Sequence, residues 1–100
     1  MKKTLLATAF IVTTFVFAFA ASDGAALYNK CKACHGADGT KVPAGAKEAL
    51  KGHSAADIEK MLTGYKDGSF GGEKKATMQR MTANLSPEDI KALADYISKF

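Results

Sequence analysis

The sequence predicts an all-α fold of three to four short helices wrapped around a bulky buried group. Apolar residues recur at intervals of three and four, as along one face of a helix, and no stretch alternates cleanly enough to read as a strand. Glycine-rich connections separate these stretches. Residues 21–100 contain no tryptophan and only one pair of cysteines. So short a domain rarely stands on its own core, and a disulfide between Cys31 and Cys34 would constrain the unfolded chain very little. Something else is expected to fill the interior.

The opening of the chain lies outside that domain. Lys2 and Lys3 precede an apolar run from Leu5 to Phe19, and Ala18-Phe19-Ala20 offers a small-x-small cleavage site. Residues 1–20 therefore read as a cleaved secretory signal peptide, with the domain at 21–100. The run is shorter than the roughly 20 apolar residues that span a bilayer, which disfavours an uncleaved anchor. Without Lys2 and Lys3 the fourteen basic side chains become twelve against ten acidic ones, a net of +2. That charge is mild and its lysines are scattered, which argues against nucleic acid as a partner.

The first helix is expected to start at Ser22 or Asp23, both suitable caps, and to run to His35, with Gly36 at its C-terminus. Gly36 to His53 holds four glycines and Pro43 and reads as loop, with a short turn over Ala46 to Leu50. Ser54 opens a second helix, with Asp57 as an acidic variant of the capping box and Gly64 as the stop. A third helix is expected from Glu73 to about Met81. The last begins at Ser86-Pro87-Glu88-Asp89: a capping serine, proline at the first position and acids in the first turn. It presents Ile90, Leu93, Tyr96, Ile97 and Phe100 as one apolar face.

Cys31, Cys34 and His35 stand at i, i+3 and i+4, so on a helix they share a face. C-x-x-C-H is the signature of covalent haem attachment: two thiols meet two vinyl groups on one porphyrin edge, and the adjacent imidazole points at the iron. The rival interpretations lack companions. Zinc wants four ligands, and only His53 stands ready beyond the cluster. A thioredoxin-type dithiol belongs beside a βαβ pattern, which the sequence does not contain. A structural disulfide leaves the histidine and the poor core unexplained. One covalent haem c is the expected cofactor.

"CKACHGADGTK", "GGEKKATM" and "LADYISKF" together resemble the class I c-type cytochromes, in particular the small periplasmic cytochromes c-553 of sulfate-reducing bacteria. The resemblance covers Asp23 to Phe100 and implies the class I cytochrome c fold, with its first and last helices crossing around one haem. Gly24 then takes the place of the small residue at that crossing, with Tyr96 against it. Pro43 resembles the loop proline whose carbonyl accepts a hydrogen bond from the ligating histidine. Cys31 and Cys34 are implied as haem thioethers and His35 as the proximal iron ligand.

The sixth ligand decides function, because an open position admits oxygen or peroxide chemistry while a filled one restricts the iron to electron exchange. Met61, Met78, Met81 and His53 are the candidates. Met61 fits a helical apolar stripe, and His53 is expected to be a solvated loop residue. Spacing leaves Met78 and Met81 undecided; the match of "GGEKKATM" to the family implies Met78, with Met81 packing nearby. Tyr28 and Tyr65 suit either the core or the haem propionates.

The resemblance thus implies a periplasmic, monomeric electron carrier that is not an enzyme and does not stay on the membrane. It would serve redox partner proteins such as formate dehydrogenase or hydrogenase through an exposed haem edge. Lys32, Lys41, Lys51, Lys66, Lys74 and Lys75 could steer acidic partners there. The alternatives are a haem sensor or minor peroxidase with a labile sixth ligand, and a secreted binding domain without haem.

Overall fold

The computed structural model describes residues 22–72 and 75–100. The expected signal peptide, Glu73 and Lys74 lie outside these residues. Five helices follow in order: α1 (Gly24–Tyr28), α2 (Lys32–His35), α3 (Ala55–Asp67), α4 (Lys75–Thr82) and α5 (Pro87–Ile97). The described residues contain no strand, and none of their helices is long and apolar enough to cross a membrane.

The single first helix expected from the sequence is two. Asp23 caps α1 by accepting from the Ala25 and Ala26 N–H groups. The Asn29 and Cys31 N–H groups then donate to Ala26 O and Tyr28 O, three residues back instead of four, and this tightening ends α1. Tyr28 fixes the break. Its ring is fully buried against Tyr96 and Phe100, and its hydroxyl donates to Gly36 O at 2.5 Å. Burial, then the neighbouring Cys31 sulfur, push this phenol up to about 12.

The second helix runs past its expected stop. Gly64 lies buried inside α3, and the helix ends at Gly68, whose left-handed conformation (φ 82°) suits glycine. Gly64 serves close approach instead: a Cβ there would stand 2.5 Å from Phe70 Cβ, and Gly64 O accepts the Phe70 N–H. At the start of α3 the Ser54 hydroxyl accepts from Asp57 N, half of the expected capping box. Ser86 and Asp89 form the complete box on α5. Between α2 and α3 one turn closes where the Pro43 carbonyl accepts from Ala46 N and another where Gly36 O accepts from Gly39 N, rather than over Ala46 to Leu50.

α5 is the central element, packing against both α1 and α3, while α4 packs on α3. Ile90, Leu93, Ala94 and Ile97 of α5 join Tyr28, Ile58 and Leu62 in the core, with Tyr96 and Phe100 partly buried beside them. The expected crossing of first and last helices is present. Gly24 meets α5 so closely that a Cβ would stand 2.8 Å from Tyr96 Cβ. A second tie joins the residues just before α1 to α5, for the Ser22 hydroxyl donates to Asp89 Oδ1 at 2.7 Å.

Two outcomes follow. Gly24→Val should force α1 off α5 and destabilise the haem-loaded protein by about 1–3 kcal/mol, the usual cost of overpacking, measured by denaturant unfolding. The Ser22 hydroxyl, followed by the Ser86 N–H, holds the Asp89 carboxyl below its ordinary value of 3.8. A carboxylate depressed in the folded state contributes stability above its unfolded pKa and loses it as pH falls through the lower folded value. Asp89→Asn should therefore melt below wild type at neutral pH, with the gap in Tm closing below about pH 4.

Candidate haem site

A cavity of about 510 Å³ opens between α2, α3, α4 and the loop before α3. It is far larger than the voids between packed side chains and falls within the roughly 300–1,000 Å³ of small-molecule and cofactor pockets. Its inner wall is apolar, from Ile58, Leu62, Leu93 and Ile97, while Lys47, Glu48, His53 and Ser69 bring polar groups to it.

Cys31, His35 and Met78 all line this cavity. Cys31 O accepts from both Cys34 N and His35 N, which winds the C-x-x-C-H stretch into one turn. The loop beyond folds back to secure that turn: Lys41 N donates to His35 O, and Lys41 Nζ to Ala33 O. Cys31 is half-buried against the core, whereas Cys34 is exposed and does not line the cavity. Among the methionines, Met78 is half-buried on the cavity and Met81 is 40% exposed outside it.

The environment suits neutral donors. Burial lowers the His35 pKa and so favours the uncharged imidazole, the form with a lone pair for a metal. Burial, then the adjacent Cys34 sulfur, raise the Cys31 thiol and keep it protonated. Nδ1 of His35 is buried without a hydrogen-bond partner. Pro43 was expected to accept from this ring; instead its carbonyl takes the Ala46 N–H.

His53, Phe70 and Lys47 line the cavity, although none of them was expected there from the sequence. His53, expected in solvent, is only 23% exposed and faces Glu48 with Nε2 at 3.5 Å from Oε1. Phe70 stands at the cavity with 43% of its surface exposed, its ring edge-on to Tyr65 at 5.1 Å between centroids. Lys47 was absent from the expected lysine ring. All three belong to irregular segments, where no periodicity marks the inward face. Met61, read as a core residue, both packs on the core and lines the cavity. Tyr65 lines it too, while Tyr28 belongs to the core.

Residues 21–100 match the cytochrome c family. The chain is 54% identical over 84 residues to cytochrome c-553 of Nitratidesulfovibrio vulgaris strain Miyazaki F, covering 84% of this chain and 82% of that protein. It is 46% identical over 78 residues to cytochrome c-553 of Desulfomicrobium norvegicum, covering 77% and 95%. With cytochrome c-553 of Helicobacter pylori strain 26695 it shares 40% identity over 97 residues, covering 97% and 96%. Members of this family bind covalently attached haem c, and a largely apolar cavity lined by a cysteine, a histidine and methionines fits that group. Fold, cavity and sequence relatives agree: the chain belongs to the cytochrome c family, as a class I c-type cytochrome that carries electrons on a haem.

Proposed function

We propose that the protein is a periplasmic one-electron carrier in which Cys31 and Cys34 anchor the haem while His35 and Met78 ligate its iron. One observation supports this assignment above others: the turn at α2 and the distant α4 bring Cys31, His35 and Met78 to the same cavity, which Met61 also lines from α3, while Met81 stands outside it and is exposed. Each thiol would add its S–H across a vinyl double bond, sulfur to one carbon and hydrogen to the other. Cys34, exposed on the turn between Cys31 and His35, would make the outer of the two bonds.

When bound, the haem supplies a ferric/ferrous couple. Ile58, Leu62, Leu93 and Ile97 would keep water from one side of it, and His35 and Met78 would hold the iron so that it exchanges electrons without bond chemistry. The protein is thus a carrier and not an enzyme. Methionine ligation raises the reduction potential and exposure of the haem edge lowers it.

Residues 1–20 act as the export signal, cut after Ala20 at the Ala18-Phe19-Ala20 site. The mature carrier is a monomer free of the membrane. Its partners are periplasmic dehydrogenases or a hydrogenase, formate dehydrogenase among them. Lys32, Lys41, Lys51, Lys66 and Lys75 are exposed, and Lys47 adds a positive charge at the cavity.

Protein matured in a periplasm should be coloured, with a ferric far-red iron–sulfur band. Met78→Ala should abolish that band and lower the potential, whereas Met61→Ala and Met81→Ala should keep it; loss of the band in either of the latter instead would move the ligand. Ready cyanide binding by the wild-type ferric protein would favour a sensor or peroxidase. Electron transfer with an acidic partner enzyme should slow as ionic strength rises, measured by stopped-flow, if the lysines steer encounter.

A further inference from the structure

Thr82, the last residue of α4, is 1% exposed, and its side chain is buried with a polar group. Its hydroxyl lies 2.8 Å from Met78 O and 3.3 Å from Gln79 O, donating back onto the helical turn that carries Met78. A threonine bonded in this way is held in one rotamer and bends the local helix, so it sets the direction in which that turn points. The contact does not stop there. Leu85 N donates to Thr82 O at 3.0 Å, and Leu85 O accepts from Lys66 Nζ, on α3, at 2.5 Å. α3 is in turn fastened to the core by Ile58 and Leu62.

We propose that Thr82 and Lys66 are positioning residues for the sixth ligand, joined by one run of hydrogen bonds that ties the Met78 turn of α4 to α3. The proposal rests on Met78 being that ligand. A thioether is a weak, neutral donor on a flexible stem, and it stays on a metal only when its backbone is placed for it. α4 has eight described residues and packs on α3 alone among the helices it meets closely. Hydrogen bonds at its C-terminal end therefore supply a large part of its placement. Thr82 restrains the turn from inside, where water cannot replace the lost bond; Lys66 restrains it from the surface, where the bond is weaker.

The test is competition for the iron. Cyanide is titrated into the ferric, haem-loaded protein, and loss of the far-red band reports displacement of the thioether. Thr82→Val removes the hydroxyl at nearly constant shape and should raise cyanide affinity about fivefold, the worth of one buried hydrogen bond. Thr82→Ser should return it to within about twofold of wild type, because the hydroxyl is restored. Lys66→Met, on the exposed face and tolerant of folding, should raise it by a smaller factor. Ile90→Val, a core change outside the cavity, should lower Tm without moving cyanide affinity, which separates positioning from general loss of stability. Cyanide affinity unchanged in both Thr82→Val and Lys66→Met overturns the proposal; should Thr82→Val fail to fold, an unchanged Lys66→Met overturns it alone. A far-red band that survives Met78→Ala overturns the ligand assignment itself, a different failure from a flat response at Thr82.

Discussion

The described part of this chain closes only a small hydrophobic core, and one side of that core faces a large open space. The residues that would form the centre of a larger domain, Ile58, Leu62, Leu93 and Ile97, each serve twice, packing on one another and facing the cavity. In small domains the surface is large relative to the buried volume, so a bulky apolar group supplies contacts the chain cannot make. Haem binding and folding are therefore one energetic problem: the wall that holds the cofactor is also the core.

Close backbone approach makes that arrangement possible with such short elements. α1 has only five residues and little surface to bury, so it must lie almost in contact with α5 to gain anything from packing. Gly24 permits this, and the Ser22–Asp89 bond and the Tyr28–Tyr96–Phe100 cluster hold it there. The three rings meet edge-on or tilted, the favourable geometry for aromatic quadrupoles. Gly64 performs the same service on the other side, bringing Phe70 down onto α3 and against Tyr65 at the cavity. A glycine inside a helix costs about 1 kcal/mol relative to alanine, and here it is offset by contacts that no larger residue would allow.

The site separates its tasks along the chain. A single tightened turn carries Cys31, Cys34 and His35, so local geometry alone sets their mutual spacing. Met78 arrives from α4, and its position depends on the α3–α4 packing and on the hydrogen bonds at the end of that helix. One half of the site is local and robust; the other is tertiary and adjustable. With Met78 as the proposed sixth ligand, changes in α4 would reach that ligand without disturbing the attachment turn.

By itself the sequence determined what short-range chemistry decides. The C-x-x-C-H spacing, the complete cap at Ser86-Pro87-Glu88-Asp89 and the apolar face of α5 are all written in neighbouring residues, and the structure contains each of them; the small residue at the Gly24 crossing, also present, was implied by the family resemblance. Gly64 misled because a glycine that ends a helix and one that admits a neighbour look identical until the neighbour is known. The unbroken first helix failed similarly, since the contacts that fix Tyr28 come from residues eight and more positions away. Only the tertiary structure decided that His53, Phe70 and Lys47 face the cavity; that Met78 rather than Met81 lines it agrees with what the resemblance implied and spacing left open. Those residues lie in irregular segments or on a short helix, where the face turned inward is set by which distant element packs against it, not by the local pattern of residues.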